Sequence, residues 1–432
     1  MALSFKKIFP FTAAVLLLTA CGGGGGTTEP FTNAEKVFVK NLFLSEYLWY
    51  NEVNDALDPQ SYTTPQSLIN AFRVTPPDKW SFSITKQAYA DYSNQKTSGF
   101  GFGYQTDFRI FVVLIDSPAY GKLKRGDIIL KINGEDVSIT TIKAASQALN
   151  TATSFTVNRN GQETTVSVTP REYTHKVAMH KIIQHAGMSI GYLRYDAFTS
   201  SSVDEIEEAF SYFHQQGIDD LVIDLRYNGG GSVGTASTLL NNITNAYPGQ
   251  RQLYLDWNDQ YQSHNAPYFF ESTQNQDHNE LAMQRVFFLT TKHSASASEL
   301  VINALKPYLG EGNVITIGDA THGKPVGMSG KVFGSKGENY YFLINFLVKN
   351  NNGETSSFDG ISPTCQAADD VTHEMGDPTE SMFATALHYA EHNQCPATAQ
   401  QKMKKTLMGE SSIADTPLKL QGVWTTPSLA HD

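Results

Sequence analysis

Apolar positions fall into three regimes along the chain. Between residues 35 and 96, Val37, Phe38, Val39, Leu42, Phe43, Tyr47, Leu48 and Trp49 recur at helical spacing. This predicts a helical N-terminal domain. From 97 to 171 the apolar runs shorten to strand length. Ser98-Gly-Phe-Gly-Phe-Gly103 opens this part, and an apolar run over 110–115 follows. Residues 155–159 and 164–168 flank Asn160-Gly161, a tight-turn dipeptide that predicts a hairpin. A short helix is expected over 141–149. From 172 to 400, strand-like and helix-like segments alternate. Strands are expected at 188–195, 221–225, 285–291, 314–317 and 340–348. Helices are expected at 202–216, at 237–243 and from Ser298 onward. The nearly continuous apolar run 221–225 suits a strand covered on both faces. Ser202 and Glu205 have capping-box spacing, Gly217 is a helix stop, and Pro307 should end or kink its helix. The expected class is α/β multidomain. Residues 401–432 lack such a pattern and read as a C-terminal tail. The chain has no clear repeat of 20–50 residues, which excludes a solenoid.

The chain has 432 residues, 40% of them hydrophobic, enough for a sizeable core and several units. The net charge is −11, without a basic stripe, which argues against nucleic-acid binding. At the N-terminus, Lys6 and Lys7 precede a mostly apolar stretch over 8–18. That is signal-peptide length and too short to span a bilayer. It ends in Leu18-Thr19-Ala20-Cys21, which resembles a bacterial lipobox. Residues 1–20 are therefore expected to be a lipoprotein signal peptide and Cys21 the lipidated residue. Residues 21–34, with Gly22 to Gly26, would be a flexible tether. An ordinary signal peptide with a chance cysteine is the alternative. Loss of Lys6 and Lys7 would leave a charge of about −13. Cys365 and Cys395 then form an even pair in an oxidising compartment, which predicts a disulfide. No Cys-x-x-Cys spacing occurs, which argues against zinc, and no metal or cofactor is expected.

Candidate chemistry concentrates at His293-Ser-Ala-Ser-Ala-Ser-Glu299, where a predicted strand meets a predicted helix. A helix N-cap explains one serine but not three. A nucleophile at the corner, with helix amides close by, explains more. A serine nucleophile needs a base, and His293, His322 and Lys324 are the candidates. Lys324 lies in Gly318-Asp-Ala-Thr-His-Gly-Lys-Pro325 and would serve if burial lowered its pKa. Asn228-Gly-Gly-Gly231 follows a predicted central strand and offers unobstructed amides.

Asp224-Leu-Arg-Tyr-Asn-Gly-Gly-Gly231, Ser294-Ala-Ser-Ala-Ser-Glu299 and Gly323-Lys324, in this order, resemble the C-terminal processing peptidases, or tail-specific proteases. The resemblance spans roughly residues 35–395. It implies a ClpP/crotonase-like α/β peptidase core with a central mixed sheet over 172–400. It also implies a Ser-Lys dyad, with Ser296 as nucleophile and Lys324 as base, and an oxyanion hole from Gly230 or Gly229 with Ala297. Gly99-Phe-Gly-Phe102 and Arg125-Gly-Asp-Ile-Ile-Leu-Lys-Ile-Asn-Gly134 resemble a PDZ domain, over 97–171. There the amides of Phe100, Gly101 and Phe102 would capture the C-terminal carboxylate of a peptide added as a strand. The function implied is a lipid-anchored exported serine endopeptidase that selects proteins by their C-terminal tails. Its expected place is the bacterial cell envelope, facing the periplasm. Gly22, where an aspartate would retain the lipoprotein at the inner membrane, favours the outer membrane. Two departures stand out. Ser296 and Lys324 are 28 positions apart, slightly more than the family pattern leads one to expect. Met328 occupies the place where members with a third catalytic residue carry glutamine; Ser329 and His322 are the polar alternatives. A peptide-binding scaffold lipoprotein on the same fold, or a Ser-His hydrolase using His322, are the competing functions.

Overall fold

A computed structural model describes residues 31–271, 280–335, 337–397 and 419–421. The expected signal peptide, Cys21 and most of the tether and tail lie outside the described residues. The centre is a six-stranded mixed sheet. Its strands run Ala178–His185, Met188–Tyr195, Asp220–Asp224, Val286–Thr290, Val314–Gly318 and Cys365–Gln366, in that spatial order. The first pair is antiparallel and every later pair is parallel. Alternate residues of the apolar strands feed two cores. Leu221, Ile223 and Phe288 face helices Val203–Gln216, Val233–Ile243 and Ala297–Leu309. Val222, Phe287 and Leu289 face helix Ser381–His392. Both faces are covered, which is why these strands read as continuous apolar runs. A disulfide joins Cys365 to Cys395, just beyond that last helix.

A second sheet carries Phe82–Thr85, Asn339–Asn350, Arg251–Trp257 and Ala266–Phe269, with Val326–Val332 also paired to Asn339–Asn350. The N-terminal segment is less uniformly helical than its periodicity suggests. Helices Asn33–Ser45, Pro65–Phe72 and Lys86–Ser93 are interrupted by the strand Phe82–Thr85, which pairs with Asn339–Asn350. Val39, Phe43, Leu68 and Phe72 pack on Tyr341, Leu343 and Ile344 of that long strand. The N-terminal segment is thus built into the second sheet.

Residues 96–174 form a β-rich unit with its own core, in which Phe100, Phe102, Ile129 and Phe155 meet. The hairpin at Asn160-Gly161 is present, with Arg159 opposite Gln162. Phe102–Tyr104 pairs with Ile110–Val113 on one edge and with Lys419–Gln421 of the tail on the other.

Two local expectations are corrected. Glu205 does not close a capping box. Its carboxylate accepts from the Val177 and Ala178 amides and from Gln95, while the Ser202 hydroxyl donates to the Thr199 carbonyl. Pro307 does not end its helix, which runs on to Leu309. Pro307 cannot donate to the Asn303 carbonyl. Asn350 Nδ2 approaches that carbonyl at 3.5 Å instead and so partly replaces the missing donor.

Candidate active site

The three serines of the corner have different tasks. Ser294 Oγ donates to the Leu225 carbonyl at 2.7 Å, and Ser298 Oγ to the Asn228 carbonyl at 2.9 Å. The Ala295 amide also donates to Asn228 O. Two serines therefore bind the corner to the glycine-rich turn. Ser296 lies between them and faces a cavity. Its φ is 57° and its ψ −111°, a left-handed backbone that a side chain adopts at a cost of about 1–3 kcal/mol. The surrounding bonds hold it there. Its N–H donates to Glu299 Oε2 at 2.9 Å, and its carbonyl accepts from the Leu300 amide.

Glu299 is the hub of the site and is 1% exposed. Oε1 accepts from Thr321 Oγ1 at 2.6 Å and from the Gly323 amide at 2.7 Å. Oε2 accepts from the Ser296 amide and from the Lys324 amide at 2.8 Å. One carboxylate thus fixes the serine corner and the lysine loop together. Gly323 is required in that loop. Its φ is +83°, and a Cβ there would lie 2.1 Å from the Phe358 carbonyl.

Lys324 lines the same cavity as Ser296 and is 6% exposed. Burial pushes its pKa down to about 8, against the opposing pull of the Asp78 and Glu299 carboxylates. Near neutrality its amine can exchange a proton. Among the described residues no hydrogen bond within 3.5 Å links Ser296 Oγ to Lys324 Nζ, a looseness common in substrate-free sites. Neither His293 nor His322 lines the cavity. His322 Nε2 accepts from Trp80 Nε1 at 3.1 Å. Ser329 is held by Asn345 Oδ1. Met328 lines the cavity and packs on the N-terminal apolar cluster.

Of the two glycines expected for the oxyanion hole, Gly230 has its amide engaged within the turn. Gly230 N–H donates to Asn228 Oδ1 at 2.8 Å. Among the described residues the Gly229 and Ala297 amides donate to no acceptor within the chain. Gly230 serves by its lack of a side chain: a Cβ would sit 2.8 Å from Ser296 Cβ. Behind this turn Arg226 is fully buried and pairs with Asp224, Asp369 and Glu380. Arg125 of the β-rich unit also pairs with Asp369. In that unit Phe100 and Phe102 are buried side chains, and a Cβ on Gly101 would lie 2.2 Å from Ser117 Cβ and 2.5 Å from the Tyr173 hydroxyl.

The sequence model of peptidase family S41 matches residues 189–367, and that of the S41 N-terminal domain matches residues 35–82. The chain belongs to peptidase family S41. This S41 chain is 24% identical over 315 residues to the carboxy-terminal processing protease CtpB of Bacillus subtilis. That alignment covers 69% of this chain and 62% of the relative. It is 24% identical over 260 residues to a CtpA-like serine protease of Staphylococcus aureus, covering 58% of this chain and 49% of the relative. The chain thus spans less than two thirds of these relatives. A solved structure from Bacteroides fragilis, assigned to the S41 proteases, shares the fold. Its TM-score is 0.70 at 22% identity, over 83% of this chain and 97% of that one.

Two groups of this S41 site escaped the sequence. Asp78, buried and bonded by Tyr47, Trp80 and Ser81, is the acid whose charge acts most on Lys324. It lies 246 positions upstream, and no spacing points to it. Glu299 could have been found, because a glutamate three residues after a serine N-cap is a capping-box signal.

Proposed function

We propose that this chain is a serine endopeptidase working through a Ser296–Lys324 dyad. The observation that carries this is a strained serine and a buried lysine opening on one cavity, tied together by Glu299. Neutral Lys324 Nζ takes the Ser296 hydroxyl proton as Oγ attacks the peptide carbonyl carbon. The oxyanion forms within reach of the Gly229 and Ala297 amides. The C–N bond then breaks, Lys324 returns the proton to the leaving amine, and an ester to Ser296 remains. Water gives a proton to Lys324 and attacks the ester; Ser296 Oγ leaves and recovers the proton.

Substrate proteins are selected by the β-rich unit over 97–171, a PDZ-like domain. A C-terminal tail displaces Lys419–Gln421 and adds beside Phe102–Tyr104, with its carboxylate on the Phe100, Gly101 and Phe102 amides. The chain is exported, lipidated at Cys21, and faces the periplasm from the outer membrane. What supports this is the Leu18-Thr19-Ala20-Cys21 sequence and the Cys365–Cys395 disulfide, which needs an oxidising space.

The test is cleavage of an unfolded protein bearing an apolar C-terminal tail, with Ser296→Ala beside the parent. Cleavage by the parent alone is the expected result. Tail binding by both with cleavage by neither would make the chain a peptide-binding scaffold on a peptidase fold.

A further inference from the structure

The cavity in front of Ser296 continues well beyond the two reactive side chains. It encloses about 250 Å³. Besides the serine corner, the glycine turn and the lysine loop, two distant parts of the chain supply its apolar side chains. The N-terminal segment supplies Phe82, Ile84 and Tyr92, and the strand Asn339–Asn350 supplies Phe342, Phe346 and Val348. These walls are set by packing. Phe82 and Phe342 stack at 5.0 Å between ring centres, and Phe346 lies over Gly327, where a Cβ would meet its ring at 2.0 Å. Among the described residues Lys324 is the single charged side chain on the lining.

We infer that this cavity holds the side chain of the residue whose carbonyl Ser296 attacks, and that it selects a large apolar residue such as leucine or phenylalanine. The inference rests on the peptidase function proposed above. An apolar side chain leaves water for a mainly apolar enclosure that includes aromatic rings. A basic side chain would find no carboxylate on the walls and would meet the Lys324 ammonium. An acidic one would pair with that ammonium and keep the base protonated. A methyl group would leave most of the space unfilled. The N-terminal segment, which supplies neither Ser296 nor Lys324, thereby becomes the reader of the cleavage site.

The test uses internally quenched peptides that differ only at the residue before the scissile bond: Ala, Leu, Phe, Asp or Lys. The full chain and its Ser296→Ala variant are assayed together. Leu or Phe should exceed Ala at least tenfold in kcat/KM, since each added methylene in a fitting pocket is worth roughly 10–200-fold. Asp and Lys should fall at least a hundredfold below Leu. Ile84→Trp and Val348→Trp, on two paired strands that line the pocket, should each cut the Leu-to-Ala ratio at least tenfold. Melting curves check their folding, and the parent profile decides the matter if either unfolds. A flat profile, or a preference for Asp, Lys or Ala, overturns the inference. A fluorophosphonate probe separates the failures. Labelling of Ser296 with a flat profile refutes the pocket and leaves the peptidase standing. No labelling and no cleavage refutes both.

Discussion

Replacing Lys324 by methionine should abolish turnover and stabilise the fold at neutral pH. The side chain is 6% exposed, and its pKa falls from 10.5 to about 8. At about 1.4 kcal/mol per decade of proton affinity, carrying the charge in the folded state costs about 3 kcal/mol. The sign follows from proton linkage. Below pH 8 the lysine is protonated in both states, and the whole cost is present. Between pH 8 and about 10.5 the unfolded chain binds the extra proton, so stability rises with pH. Above that range both forms are neutral and the cost is gone. Methionine has similar reach and no charge, so Lys324→Met removes the cost throughout. Thermal and urea unfolding at pH 7 should show the variant more stable by up to about 3 kcal/mol, shrinking to below about 1 kcal/mol at pH 10. Such a gain from an inactivating change is the usual trade between site chemistry and stability. A variant less stable than the parent at pH 7 would refute this. The ammonium would then be held by Asp78 and Glu299 rather than opposed by burial, and Lys324 would be no base near neutrality.

Turnover of the parent should rise with pH through about 8 as Lys324 loses its proton, and Asp78→Asn should move that rise to lower pH by removing the charge that favours the ammonium. An unmoved profile would detach Asp78 from the base. Glu299→Gln keeps the size but replaces one of two accepting oxygens by a donor, stranding buried amides of the serine corner or the lysine loop. It should cost roughly 2–5 kcal/mol in urea unfolding and slow phosphonylation of Ser296 at least tenfold. Labelling at the parental rate would show that the corner holds itself. Cys365→Ser with Cys395→Ser opens a loop of 30 residues and should cost about 3–4 kcal/mol, read from urea midpoints. A loss below about 1 kcal/mol would mean that the sheet edge and last helix are already fixed by packing.

The chemistry of the site was legible where it is local. The serine corner lies between a strand and a helix that pattern alone locates, and Gly323-Lys324 sits in a loop whose glycine and proline mark constraint. The division of labour among Ser294, Ser296 and Ser298 was not legible. Two of their hydroxyls bind carbonyls about 70 positions away, and only the folded register chooses which. The engagement of the Gly230 amide within the turn has a readable origin. An asparagine whose side chain accepts from the amide two residues on is an Asx turn, and Asn228 before three glycines is a natural place for one. Helical periodicity over 35–96 concealed the strand Phe82–Thr85, because pairing with Asn339–Asn350 outweighs local propensity there.

The methionine at position 328 takes its meaning from the main chain around Lys324. A glutamine there could orient the lysine through a side-chain hydrogen bond, and methionine cannot. Lys324 is instead positioned from its backbone. Its own amide and that of Gly323 bind Glu299, Gly323 abuts the Phe358 carbonyl, and Pro325 follows directly. A lysine anchored at its main chain and 6% exposed has limited room for its amine. Orientation by a third side chain then adds little, and position 328 is free to line the cavity. On this account Met328→Gln should leave the pH of half-maximal turnover near 8 and should lower kcat/KM chiefly for the larger apolar residues before the scissile bond. A gain in kcat for every substrate, with the pH profile displaced, would show that the amine does lack an orienting partner.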